Sequence, residues 1–188
     1  MLGKKRKSQF EAVRSGDYVI RELTKKDWKQ FKNLYLHALK DDPASFSESY
    51  SDKKGVGDNE WMEMLERAHD DARSIIAGVE HEPTNTLVGL LLVLGNTASK
   101  LSHVAKIAGF YLAPSHQSPD LEKAFLQAVL KHVQQFSDVN KMQVSVVTTD
   151  RDSLTLFNAF GFVRYGFDEK YLKVGRNYYD GILMSKTL

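Results

Sequence analysis

Hydrophobic positions along the chain change between the period of a helix and the period of a strand, and this pattern predicts an α/β domain. Apolar residues recur every three to four positions in 28–39, 61–68 and 121–133, which is the spacing of an amphipathic helix. A further short helix begins at Asp152. The predicted strands, rich in Val, Ile and Leu, are 18–21, 74–79, 87–94, 104–112, 142–148, 162–174 and 178–184. The element order is therefore β-α-α-β-β-β-α-β-α-β-β.

Residues at the helix ends agree with these assignments. Thr24 and Asp27 have the spacing of a capping box before the first helix. Ser118 and Pro119 suit the cap and the first position of the helix that follows them. Gly161 is expected to end the short helix in a left-handed conformation.

The composition is that of one globular domain. The chain has 188 residues, of which 42 % are hydrophobic and 11 % aromatic. The longest apolar run, 87–94, is much shorter than the ~20 residues that cross a bilayer, so we expect no membrane association. The sequence contains no cysteine, which excludes disulfides and thiolate nucleophiles and suits the cytoplasm. We predict a basic tail over 1–16 and one domain over 17–188.

Charge is distributed unevenly along the chain. Residues 41–71 contain 10 acidic and 3 basic side chains, whereas residues 1–40 contain 4 acidic and 11 basic ones. An acidic rim raises the local concentration of cationic substrates such as amines, but a solvated helix face has the same composition. The run Lys4 to Lys7 is a weak nucleic-acid motif, because no aromatic residues are interleaved with it, so a nucleic-acid partner is not favoured.

Three stretches, in this order, are similar to one known family. They are Phe110 to Pro114, Ser153 to Phe162 with its terminal Gly-Phe, and Gly175 to Asp180. Together with the element order, they make 17–188 resemble the GNAT superfamily of N-acetyltransferases. The resemblance implies a mixed, twisted sheet with helices on both faces. It also implies acetyl-CoA as the co-substrate, with a small-molecule or peptide amine as the acceptor.

The resemblance also implies where the co-substrate would bind. The strand around Phe110 and Leu112 would pair with the pantetheine arm, and the segment 117–123 would face the diphosphate. The implied cofactor-binding residues are Phe110, Leu112, Gln117, Ser118, Asp120, Leu121, Glu122, Lys123, Asp150, Ser153 and Phe157.

The phosphate loop departs from the family pattern Gln/Arg-x-x-Gly-x-Gly/Ala. Asp120 and Glu122 stand where the pattern has small residues, and Pro119 has no backbone donor. A β-carbon occupies the space that a closely bound phosphate needs, and a carboxylate repels it. The same acidic residues are good first-turn residues of a helix. Phe157 stands where the family often has a tyrosine that protonates the departing thiolate, and Asp150 where it often has an asparagine.

The candidate bases are Glu48, Tyr111 and His103, each of which has a structural interpretation as well.

The chain has no pattern of metal ligands, because its histidines are scattered. The histidines are His37, His69, His81, His103, His116 and His132.

The function predicted from the sequence is an acyl-CoA-dependent N-acetyltransferase that acts on a primary amine and has a weakened cofactor site. The alternative is a GNAT-like domain that has lost catalysis and serves as a binding or regulatory module. A homodimer is compatible with either. The identity of the acceptor amine and of the general acid is left open.

Overall fold

The computed structural model describes residues 9–136 and 138–188, and it consists of one mixed sheet with helices packed on both faces. The strands are β1 (Val13–Ser15), β2 (Tyr18–Glu22), β3 (Ile75–His81), β4 (Thr86–Gly95), β5 (Val104–Leu112), β6 (Lys141–Val147), β7 (Val163–Val174) and β8 (Asn177–Thr187). The α-helices are α1 (Trp28–Asp41), α2 (Tyr50–Lys53), α3 (Asp58–Asp70), α4 (Pro119–Val133) and α5 (Arg151–Ala159).

The eight strands are ordered β1-β2-β3-β4-β5-β6-β8-β7. Neighbouring strands are antiparallel except β5 and β6, which are parallel. A parallel pair needs a long crossover connection, and α4 provides it between β5 and β6. The predicted fold class, a mixed sheet with helices on both faces, is confirmed.

Each face of the sheet has its own hydrophobic core. On one face, α4 and α5 bury Phe125 and Phe157 against the central strands. On the other face, α1 and α3 bury Phe31 and Trp61. The central strand β4 contributes to both cores, because it is buried on both sides over most of its length. The sheet is therefore covered on both sides, and the site has to lie at an interruption of the sheet.

The helix signals in the sequence correspond to observed caps. The Ser118 hydroxyl accepts a hydrogen bond from the Leu121 N–H at 3.3 Å, and Thr24 and Asp27 form the predicted capping box. Gly161 has a φ of 81°, in the left-handed region. The short helix α5 is capped by Asp150, and it begins at Arg151, one residue before the predicted Asp152.

The folded domain reaches further towards the N-terminus than predicted. Val13–Ser15, within the expected tail of 1–16, forms the first strand of the sheet and pairs with β2. Phe10 is buried at 8 % exposure and packs edge-to-face on His132. A three-residue strand is too short to show alternation, which is why the pattern does not reveal it. The basic run Lys4 to Lys7, proposed as a solubilising tail, lies outside the described residues.

Candidate active site

The interruption of the sheet lies between the parallel strands β5 and β6. The two strands pair from Val104↔Lys141 to Ile107↔Val144, and the pairing ends there within the described sheet. On its other side β5 stays paired with β4, but the register shifts between Leu92↔Gly109 and Val93↔Ile107, so that Ala108 is an extra residue. This is a β-bulge, and a bulge bends its strand. The bend explains why β5 leaves β6 at this point.

The separation of β5 from β6 beyond Ile107 and Val144, which we call the splay of these strands, leaves backbone hydrogen-bonding groups without a neighbouring strand. From Ala108 to Leu112, β5 has a ladder only on the β4 side, and from Ser145 to Val147, β6 has one only on the β8 side. The groups between the two strands are therefore free to bind an extended ligand, because each unpaired N–H and C=O requires a partner. The cleft between these strands encloses about 150 Å³.

Residues from four parts of the chain line this cleft. The α1–α2 loop contributes Ala44 to Ser47, the N-terminal part of α5 contributes Asp150, Ser153 and Phe157, and β7 contributes Tyr171 and Leu172. The rest of the lining comes from the splayed strands themselves, where Phe110 packs between the rings of Phe125 and Phe157.

A second cavity continues the cleft at the open end of the strands, and we call it the mouth. It encloses about 340 Å³ and shares Phe110, Asp150 and Ser153 with the cleft. Five carboxylates line it, and none of its described lining residues is lysine or arginine. The five acidic residues are Asp41, Asp42, Glu122, Asp150 and Asp152.

The surroundings of Asp42 in the mouth raise the pKa of its carboxyl. Burial raises the pKa of this carboxyl above its usual value, and the charges of Asp150 and Asp41 raise it further, against the opposing hydrogen bond from the Ser45 hydroxyl. The mouth is therefore a place that disfavours additional negative charge.

A third cavity, which we call the hairpin groove, approaches the cleft from its other end. It encloses about 400 Å³ between the 43–52 segment and the β7–β8 hairpin. Phe46, Ser47 and Leu172 line both the groove and the cleft. The cleft thus shares lining residues with the mouth and with the hairpin groove, so the three cavities adjoin one another at the interrupted sheet.

Glu48 lies in the hairpin groove rather than in the cleft. One carboxylate oxygen accepts a hydrogen bond from the Tyr35 hydroxyl at 2.6 Å, and the other lies 2.7 Å from Lys53 Nζ. Burial raises the pKa of Tyr35, as does its hydrogen bond to Glu48, so this phenol stays protonated and continues to donate. Glu48 is consequently held in place by these two contacts in the hairpin groove.

Tyr111 lines the mouth, but its hydroxyl is occupied. It donates to Asp41 at 2.9 Å, and the Nδ1 of His37 lies 3.0 Å from the same oxygen. Since the tyrosine proton points to Asp41, His37 is the donor in the second contact. Burial and the Asp41 carboxylate raise the pKa of Tyr111. A phenol with a raised pKa stays protonated at neutral pH and offers no phenolate to act as a base, so we interpret this network as structural.

The structure does not bring His103 to the site. It precedes β5 at the paired end of the strand, and its carbonyl accepts from the amides of Asn140 and Lys141. The first residue of β5 that lines the cleft, Lys106, comes three residues later, roughly 10 Å along an extended strand. The expectation that His103 faces the acceptor is therefore not supported by its position.

The start of α4 lies beside the mouth. The Leu121 N–H donates to the Ser118 hydroxyl, and the Glu122 N–H donates to the Ser118 carbonyl at 3.0 Å. The Gln117 side chain, 2.7 Å from a Glu122 oxygen, donates to it. The chain's own groups thus engage two of the amides at this helix start, where a bound anion would seek donors.

The structure brings together only part of the predicted cofactor-binding set. The residues that line the cleft or the mouth are Phe110, Leu112, Gln117, Glu122, Asp150, Ser153 and Phe157. The residues that line neither are Ser118, Asp120, Leu121 and Lys123, because Leu121 points into the core and the others cap the helix or face solvent.

Sequence reasoning missed Tyr171. It lies on β7, where the register against β8 shifts between Asp168 and Leu172 and Lys170 has a φ of 55°. Its ring packs on Gly181, where an added β-carbon would come within 2.7 Å of the ring. No hydrogen bond joins its hydroxyl to another described side chain. The alternation of apolar and polar residues cannot reveal an irregular strand segment. The one sequence signal for the position of Tyr171 was Gly181, which leaves room for its ring.

Within the described part of the chain, no helix is long and apolar enough to cross a membrane. Among the same residues, no group of three or more histidine, aspartate and glutamate side chains is placed to hold a metal ion.

Comparison of the sequence with family models shows which family the chain belongs to. Residues 24–162, more than half of the chain, match the family model described as the acetyltransferase (GNAT) family. The chain belongs to the GNAT acetyltransferase family. A search of curated protein sequences finds no significant match for this GNAT chain.

Solved structures share the architecture at low identity. A GNAT-family acetyltransferase from Streptococcus pneumoniae superimposes with a TM-score of 0.79 at 16 % identity, covering 91 % of this chain and 99 % of its own. The ribosomal-protein-S5-alanine acetyltransferase from Vibrio fischeri gives 0.78 at 16 % identity and covers 94 % and 96 %. A phosphinothricin acetyltransferase from Sinorhizobium meliloti, solved with acetyl-CoA, gives 0.78 at 14 % identity and covers 92 % and 89 %. At identities of 14–16 %, these structures show that the fold of the GNAT chain is shared, and they show the fold alone.

Proposed function

We propose that the protein is an N-acetyltransferase that moves an acetyl group from acetyl-CoA to a primary amine. The observation that carries the proposal is the one-sided pairing of Ala108 to Leu112, which leaves backbone donors and acceptors facing a cleft of about 150 Å³. A pantetheine arm is an extended chain with its own amides, and it can pair with such a strand as a neighbouring strand would. The Sinorhizobium meliloti relative, solved with acetyl-CoA, supports the choice of donor.

The acceptor amine enters from the hairpin groove. Glu48 and Asp52 line this groove together with one basic residue, Lys173, and both acidic residues belong to the 41–71 segment, which carries a net charge of −7. Negative charge at the entrance concentrates protonated amines, and it does so most at low ionic strength. A small-molecule amine and a peptide N-terminus both meet this requirement.

The reaction needs a base for the amine and an acid for the sulfur. An amine that arrives protonated first loses one proton to solvent. The neutral nitrogen then forms a bond to the acetyl carbon, the carbon–sulfur bond breaks, the nitrogen loses its second proton and the sulfur gains one. Glu48 receives the proton at the groove end. Phe157 has no hydroxyl to donate, and Tyr171, which lines the cleft with it, supplies the proton instead. A phenolic hydroxyl is suited to this role, since it carries a proton that it can donate.

A matched pair of tyrosine variants tests this assignment. Tyr171→Phe should lower kcat about 100-fold, the lower range for loss of a general acid, and change the KM for acetyl-CoA by less than about twofold. Tyr165→Phe, on the same strand and outside the cleft, should behave as wild type. The measurement is thiol release with acetyl-CoA and a panel of polyamines and alanine-initiated peptides. Wild-type kcat in Tyr171→Phe would remove the role given to this residue.

The second candidate function is a GNAT-like binding module without catalysis. The observation that favours it is the acidic, self-capped start of α4, which lacks a cradle for phosphate. This candidate predicts no thiol release with any amine of the panel. It also predicts no rise in Tm with acetyl-CoA at millimolar concentration, whereas binding at 100 times Kd would stabilise the fold by about 2.7 kcal/mol.

A further inference from the structure

We infer that this chain recognises its donor through the thioester arm alone, so that neutral acyl-pantetheine thioesters serve as donors about as well as acetyl-CoA. The inference rests on the proposed function and narrows its donor class. The inference concerns the half of coenzyme A that carries the diphosphate and the nucleotide. When the pantetheine arm lies in the cleft, this half extends into the mouth.

The mouth repels a polyanion. Its lining includes Asp41, Asp42, Glu122, Asp150 and Asp152 and no described lysine or arginine. A diphosphate that passes between these carboxylates meets negative charge from α1, α4 and α5 at once. Electrostatic repulsion across a partly enclosed cavity is screened less than on an open surface. The carboxylates of the mouth therefore oppose binding of the diphosphate half of coenzyme A.

At the start of α4, part of the donor set is already engaged. The amides of Leu121 and Glu122 already donate to Ser118, and Pro119 has no N–H. Glu122 accepts from the Gln117 side chain, which turns this polar group towards the carboxylate. Asp120 and Glu122 place two negative charges in the first turn of α4, where they interact favourably with the helix dipole and oppose a further anion. The residues present do not fit a diphosphate.

The cleft, in contrast, suits the neutral arm. Lys106 and Asp150 are the charged residues among its described lining, and the remaining lining is apolar, hydroxylic or backbone. An arm without formal charge gains from the free backbone groups of Ala108 to Leu112 and meets no like charge. The two halves of the donor thus experience opposite environments.

Binding measurements with the unmodified protein separate the two halves. Calorimetry and thermal shift should give coenzyme A and pantetheine Kd values within about tenfold, and 3′,5′-ADP should give no saturable shift at millimolar concentration. The kcat/KM values for acetyl-CoA and S-acetylpantetheine should also agree within about tenfold. Coenzyme A bound 100-fold or more tighter than pantetheine would overturn the inference, and so would tight binding that requires added Mg²⁺.

Charge-neutral variants add a control for folding. Asp120→Asn with Glu122→Gln should tighten coenzyme A binding about tenfold at low salt, less at high salt, and leave pantetheine binding unchanged. Asp58→Asn with Glu60→Gln removes the equivalent first-turn carboxylates of α3, away from the mouth, and should change neither affinity. Equal effects of the two double variants would contradict the inference.

The two proposals fail in different ways. If neither thioester binds or releases thiol, the acetyltransferase itself is wrong. If both release thiol and acetyl-CoA is strongly preferred, the acetyltransferase holds and the inference about the donor is wrong.

Discussion

A single missing β-carbon allows the α1–α2 loop to close over the splayed strands. Phe46 is buried at 3 % exposure, and its ring lies against Gly109, just after the bulge at Ala108. A β-carbon added at Gly109 would come within 2.6 Å of Phe46 Cε1. Gly109 therefore decides whether the loop can lie on the cleft.

Gly109→Ala should lower the free energy of unfolding by about 1–3 kcal/mol, because the Phe46 ring has to move out of a packed position. Denaturant titration measures the change. Gly55→Ala is the matched control, since an added β-carbon there meets nothing within 4 Å. This control should leave stability unchanged or raise it by up to about 1 kcal/mol. Equal stability of the two variants would show that Phe46 moves without cost.

At the scale of elements, the sequence predicted the features that depend on neighbouring residues, such as helix caps. It did not predict the features that depend on the pairing of distant strands. Ser118 and Pro119 placed the start of α4 correctly, since a cap depends on residues within one turn. The strand Val104–Leu112 was also predicted correctly. The bulge at Ala108 was not, because it depends on the register between β4 and β5. Residues such as Phe110 and Asp150 were named through the resemblance, while Tyr171 joins the cleft through a distant irregular strand.

The capping box at the start of α1 predicts a pH dependence. Burial alone raises the pKa of Asp27, but hydrogen bonds from Arg21 and the Thr24 backbone outweigh it and hold the pKa below its usual value. A lowered pKa in the folded state means that the charged form stabilises the fold. This contribution is complete above the unfolded value of about 3.9 and is lost as the pH falls through the lower folded value.

Asp27→Asn should therefore be less stable than wild type at pH 7, by about 1 kcal/mol as for other lost caps. The difference should close below about pH 3.9. Denaturant titrations at several pH values measure it. Asp17→Asn, at an exposed turn, should differ from wild type by no more than about 0.5 kcal/mol. A difference for Asp27→Asn that does not vary with pH would show that its charge is not involved.

At the scale of the whole molecule, the domain extends to the N-terminal edge of the sheet. Phe10 belongs to the same core as α4, where it contacts His132, and β1 adds an eighth strand. The predicted boundary at residue 16 would remove both. The folded unit therefore begins before the segment that resembles the family.

Phe10→Ala should lower the free energy of unfolding by about 3–5 kcal/mol, the usual cost of deleting a buried phenylalanine. Glu11→Ala, the exposed neighbour, should change it by no more than about 0.5 kcal/mol. Both values come from denaturant titration of the full chain. A Phe10→Ala protein as stable as wild type would mean that residues before 13 are dispensable for folding.

The interrupted ladder between β5 and β6 has a consequence for solubility. An ordinary open sheet has two outer borders, whereas this one has two more inside it, from Ala108 to Leu112 and from Ser145 to Val147. Unsatisfied strand borders are templates on which other chains can add and aggregate. The 44–47 segment lies over these inner borders, so a chain in which it is displaced becomes prone to self-association. The gap that admits a ligand is thus also the place where misassembly would begin.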